Sequence, residues 1–213
     1  MQAYAAWRDN LEELVLERGG LVVWHAALFV VGLLFGALAL RSLEVETQLE
    51  LSRQLSGALE AVRAGRDPAA GALVSEALFR QVRTVALMWV LAVSLVGSVA
   101  VMALPLVRGF TSGFAVAYLT AEMGARGVLL AAAGHLPQTV LEVPGVVLAA
   151  SASMGFAAEV LASWRGRRRL SGYYAALARY TRTLLSAAVL LAAAALVEGY
   201  VTPHLVRIVA SGP

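Results

Sequence analysis

The chain has 213 residues, of which 60% are hydrophobic, with no cysteine and no lysine, and its net charge of +3 rests on arginine alone. Disulfide and thiol chemistry are thereby excluded, as are a P-loop lysine and a Schiff base. A mean hydropathy of +0.74 exceeds that of soluble domains, which are nearer half apolar, so the expected fold is an all-α integral membrane protein with one compact domain of about five transmembrane helices.

Residues 1–20 place Trp7, Leu11, Leu14 and Val15 at three- and four-residue steps among Asp9, Glu12, Glu13 and Glu17. That spacing predicts a cytoplasmic interfacial helix. The acidic density does not suit a signal-peptide n-region. Residues 21–40 form the first expected span. Gly32 and Gly36 within it are four apart, the spacing that lets another helix approach closely, although glycine is also simply common in membrane helices. His25 is expected at the headgroups or bonded to a neighbouring helix.

Residues 41–83 make the only long polar segment, expected on the extracytoplasmic side, with Leu43, Leu49, Leu51, Leu55, Leu59 and Val62 as the apolar side of an amphipathic helix. Gly65-Arg66-Asp67-Pro68 ends it, and helix resumes near Ala70. The segment reads as a solvated hairpin on the membrane or as a docking surface for another protein. The next span is expected at 84–104, with Trp89 at an interface, followed by a cytoplasmic turn from Pro105 to Arg108.

Glycine and proline then interrupt an apolar stretch from Pro105 to Gly145. It is read as a short span at 109–123, a tight turn at Gly124 to Gly127, a half-helix at 127–136 ended by Pro137, and a further span at 138–162 beginning at Gln138. Such broken backbone survives at membrane depth only inside a bundle or beside a water-filled cavity. Residues 163–182 hold six arginines and no acid, the strongest mark of a cytoplasmic segment. The last span is expected at 183–201, closed by Pro203. The arginines lie in loops beside apolar spans, so loop bias accounts for the basic balance and no nucleic-acid partner is expected.

Intramembrane carboxylates are costly and functional by default. Glu142 and Glu198 qualify, with His135, Gln138 and His204 in the same layer and Glu122 at its rim. Three readings stand side by side. The two carboxylates cap backbone N–H groups freed at the helix breaks, or His135 and His204 join a carboxylate at a metal, or the layer relays protons or ions. Glu122 and Arg126 read as a surface pair, and Glu159 as interfacial. No nucleophile motif and no phosphate loop is present, so neither an enzyme nor a cofactor is expected.

The run VRGFTSGFAVAYL from Val107, then GARGVLLAAAGHLPQTVLEVPGVVL from Gly124, then EGYVTP from Glu198 resembles the bacterial stage II sporulation protein M family over most of residues 20–205. Gly109, Gly113, Pro137, Gln138, Glu198 and Pro203 lie in the shared motifs, and Glu142, which follows the helix break, is a further core candidate where the family pattern is more often aliphatic. The resemblance implies a membrane scaffold of forespore engulfment in the mother-cell septal membrane. Its partners would be membrane lipid and two peptidoglycan hydrolases, stage II sporulation proteins D and P, and a homo-oligomer is allowed. The alternative drawn from the residues is a permease-like transporter or channel subunit built on the broken core helix and its carboxylates.

Overall fold

The computed structural model describes residues 2–65, 69–165 and 170–211, with side chains described from residue 19 onward except at 63, 95–96, 164–171 and 211. Every described element is helical. In chain order these are α1 (Gln2–Ala39), α2 (Val45–Arg63), α3 (Ala70–Val93), α4 (Leu95–Met123), α5 (Ala125–Arg165), α6 (Leu170–Leu196) and α7 (Thr202–Ser211). A 3-10 turn, Leu40–Ser42, follows α1, and a π turn, Val197–Val201, joins α6 to α7.

Among the described residues, four helical stretches are long and apolar enough to cross a membrane: Gly19–Ser42, Gly97–Met123, Ala125–Ser163 and Gly172–Ala210. In α3 every 18-residue window holds Glu76, Arg80 and Arg83, so α3 belongs to the bundle by packing rather than by apolarity. Its buried side is Val74, Ala77, Gln81, Met88 and Ala92. Its other side exposes Phe79, Val82, Leu87 and Val90.

The most apolar window of α5 is 67% buried and that of α1 only 17%, so α5 is the central helix and α1 a peripheral one. Tyr180 ties the core together. Its hydroxyl donates to the Met88 carbonyl of α3 and accepts from Ser153 of α5, and its ring stacks on Phe156 at 5.3 Å. The small side chains Ala149, Ala150, Ala152 and Ala187 let α5 and α6 come close around it. The outward residues of α1 (Trp24, Val30, Leu34, Phe35, Leu38) are exposed. A soluble surface rarely carries an apolar patch of that extent, but lipid accommodates it.

Four glycines join α1 to α4. A Cβ on Gly32 would lie 2.1 Å from the Leu106 carbonyl oxygen, and one on Gly36 would lie 2.0 Å from that of Phe110. From the other side, a Cβ on Gly109 would meet the Phe29 oxygen at 2.0 Å and one on Gly113 the Leu33 oxygen at 2.0 Å. The backbones therefore touch, an approach only glycine permits.

The structure corrects the sequence expectation at several points. The N-terminal helix is not separate but runs unbroken into the first apolar stretch. The turn expected at Pro105 to Arg108 lies instead at Ser94, whose extended backbone (φ −90°, ψ 128°) ends α3 and whose side chain caps Gly97 N–H at 3.5 Å. Pro105 sits inside α4 and is fully buried. The half-helix at 127–136 does not end at Pro137: α5 continues through Pro137 and Pro144 as one 41-residue helix. Neighbouring helices hold the chain on either side of each proline, and bundles tolerate prolines for this reason. The tight turn at Gly124 is present, with φ +58°, a conformation that favours glycine.

Arg66 to Pro68, and Arg167 to Arg169 of the cluster expected in the cytoplasm, lie outside the described residues. The orientation is testable because the chain lacks cysteine. With 163–182 inside, Ser52→Cys on α2 reacts with an impermeant thiol reagent in intact cells and Ser171→Cys is protected. The opposite pattern would invert the bundle.

Candidate functional site: a buried charge layer

Depth along the bundle follows from contacts. Gly109 of α4 lies against Phe29 of α1, and Phe29 is within one turn of the centre of the Gly19–Ser42 span. Arg108 is therefore at mid-membrane depth. Thr84 of α3 accepts from Arg108 Nη2 at 3.4 Å, so the middle of α3 lies at the same level.

Arg108 Nη1 and Glu142 Oε1 of α5 form an ion pair at 2.5 Å, with side chains 24% and 10% exposed. Gln81 Nε2 of α3 donates to the same carboxylate oxygen at 3.2 Å. Three helices thus converge on Glu142. A second pair, Arg80 of α3 with Glu198 of the π turn, lies one turn toward the amino end of α3. Pro203 explains that turn. Its ring would clash with the Gly199 carbonyl four residues earlier in a regular α-helix, and the wider π turn opens space there. The widening carries Glu198 toward α3, and Gly199 lets α3 approach, since a Cβ there would lie 2.2 Å from Val74 Cγ2.

A neutral relay continues from the first pair. Gln138 Nε2 is 3.4 Å from His135 Nδ1, His135 Nε2 is 2.7 Å from Ser112 Oγ, and Ser112 Oγ donates to the Arg108 carbonyl at 2.8 Å. The amide nitrogen can only donate, so with Gln138 Nε2 facing the ring, Nδ1 accepts and the ring carries its proton on Nε2, a tautomer assigned from the network. A cavity of about 30 Å³, lined by Arg108, Ser112, His135, Thr139, Glu142 and apolar neighbours including Phe29, has room for about one water molecule.

Chemically each of the two pairs balances its own charge. Each carboxylate faces a guanidinium, which offsets the cost of holding either ion in hydrocarbon. The backbone-capping reading of Glu142 and Glu198 gives way to this one: their partners are the arginine side chains Arg108 and Arg80, not N–H groups freed at helix breaks. The arginines escape a sequence reading that puts Arg108 in a cytoplasmic turn and Arg80 in the outer polar segment. The available signal was Arg108 inside an apolar run from Gly97 to Met123, visible once Pro105 is allowed within a helix.

Other expected residues fall elsewhere. His204 sits exposed on α7 and bonds the Tyr200 carbonyl one turn back. Among the described residues no three of His, Asp or Glu gather as metal ligands, so the His135 and His204 metal reading has no geometric support. Arg126 donates to the Ala210 carbonyl at 2.9 Å and so caps the carboxyl end of α7. Glu159 pairs with Arg179 of α6 at 2.6 Å. His25 is fully buried, with Nδ1 2.7 Å from the Leu21 carbonyl oxygen and 3.2 Å from Ser151 Oγ of α5. Trp89 Nε1 donates to Thr181 at 3.3 Å.

The charge layer lies wholly within the part of the chain that matches a known family: the family model of Stage II sporulation protein M matches residues 25–203. No curated protein and no solved structure matches the chain.

Proposed function

Because the chain belongs to the Stage II sporulation protein M family, we propose that this sporulation-family membrane protein is a non-enzymatic scaffold of the engulfment machinery. It crosses the membrane five times, with α3 as the crossing that apolarity alone does not reveal. In the mother-cell septal membrane it holds two peptidoglycan-degrading partners, stage II sporulation proteins D and P, and the bond-breaking chemistry is theirs.

The observation that carries this reading beyond the family match is the pairing of the interior charges. Arg108 with Glu142 and Arg80 with Glu198 lock α3, α4, α5 and the π turn together. Ions engaged in this way stiffen a bundle, whereas a transport path needs groups free to exchange partners. On the outer side, α2 and α7 pack against each other, and α2 exposes Val45 and Leu49 where extracytoplasmic domains could contact it.

Co-purification from detergent tests the proposal. The tagged chain is expected to bring down both hydrolases from engulfing cells, and proteoliposomes containing it alone are expected to show no ion flux. Flux that disappears with Glu142→Gln and Glu198→Gln, without partner capture, would replace the scaffold with a permease-like subunit.

A further inference from the structure

Among the described residues, Arg83 is the one arginine of the mid-membrane layer whose charge the fold does not answer. It precedes Thr84, which bonds Arg108, so it lies within a turn of mid-membrane depth. Its side chain is exposed on the outer face of α3. Among the described residues it makes no hydrogen bond or ion pair. Phe79, Leu87 and Val90, all exposed, stand on the same face at helical spacing, four below, four above and seven above it in number. The layer therefore contains Arg80, Arg83 and Arg108 against Glu142 and Glu198, and both carboxylates are already engaged. Glu76 shares the Arg83 face but lies seven residues outward, about 10 Å along the helix at 1.5 Å per residue.

We infer that this face of α3 is an intramembrane docking site for a spanning helix of a partner protein that carries a carboxylate near its middle. A guanidinium in hydrocarbon is costly unless paired, and a carboxylate is the partner it takes in bidentate geometry. The apolar residues on either side of Arg83 supply the packing surface such a helix needs. A second copy of this chain does not fit, because a two-fold axis along the membrane normal would set Arg83 against Arg83. Lipid phosphate is remote as well. The interface is half of an approximately 30 Å hydrocarbon core away, farther than one arginine side chain extends. The inference uses the scaffold reading only to name natural partners.

The test uses the full chain in zwitterionic liposomes, labelled at Ser52→Cys, with acceptor-labelled leucine-rich model helices bearing one central Glu or one central Gln. Energy transfer is expected to report association of the Glu helix at least about tenfold tighter than that of the Gln helix, the scale of a close charge pair. Arg83→Leu is expected to abolish that difference while melting at or above the wild-type temperature, since no hydrogen bond or ion pair among the described residues is lost. Arg83→Gln provides the same comparison if the leucine variant fails to fold. Equal association of the two helices, or a Glu preference that survives Arg83→Leu, would overturn the inference. Capture of the two hydrolases separates it from the scaffold reading. Capture lost in Arg83→Leu supports the docking face, and capture unchanged in that variant sinks the docking face alone. No capture by the wild type sinks the scaffold, and the liposome result still decides the fate of Arg83.

Discussion

Arg108→Ala is expected to destabilise the bundle by about 3–5 kcal/mol, the scale for removing one partner of a buried ion pair. Glu142 is 10% exposed in its side chain and would keep only the Gln81 amide at 3.2 Å. Glu142→Ala should cost as much, since it leaves the guanidinium with Thr84 at 3.4 Å. The double variant Arg108→Met with Glu142→Leu should recover most of the loss, because replacing both ions with apolar side chains of similar volume is often neutral or better. Glu142→Gln is the most discriminating single change. A carboxylate that merely capped backbone donors would tolerate it, but here it leaves Arg108 charged without a counter-ion, so its loss should approach that of Ala. Thermal unfolding in detergent, read as a double-mutant cycle, gives the answer. Additive losses in the double variant would mean the two side chains do not act as a pair.

Gly36→Leu and Gly113→Leu should separate α1 from α4. An added Cβ would sit 2.0 Å from the carbonyl oxygen of Phe110 or of Leu33. Those atoms belong to backbone, so they cannot rotate away. Overpacking a well-fitted contact costs about 1–3 kcal/mol and occasionally more, and these positions should reach the top of that range. Even alanine should be damaging. Gly57→Ala on α2 serves as the control, because a Cβ there meets nothing within 4 Å, and removing a helix-interior glycine should stabilise by about 0.5–1 kcal/mol. Melting temperatures unchanged by the Gly36 and Gly113 substitutions would mean the two helices do not touch there.

Much of this protein is legible in the order of its residues alone. Its helices and its membrane character follow from long apolar runs and a composition without strand signals, which are local properties. The Gly124 turn and the four-residue glycine spacings of α1 and α4 are likewise local, since both depend on residues lacking a Cβ. Which proline ends a helix is not local. Pro105, Pro137 and Pro144 each remove a backbone donor, yet α4 and α5 pass through them, because packing against the other helices holds the flanking turns. Ser94, with no such strong signature, makes the turn instead. The partners of the carboxylates are decided in the same way. Arg80 and Glu198 are 118 residues apart, and only the hairpin of α3 and α4, folded against α5 and the π turn, brings either arginine to its glutamate. A charge in hydrocarbon is compelled to find a counter-charge, but the sequence does not say which one. That choice belongs to helix register, set by how the glycine, alanine and proline surfaces interlock.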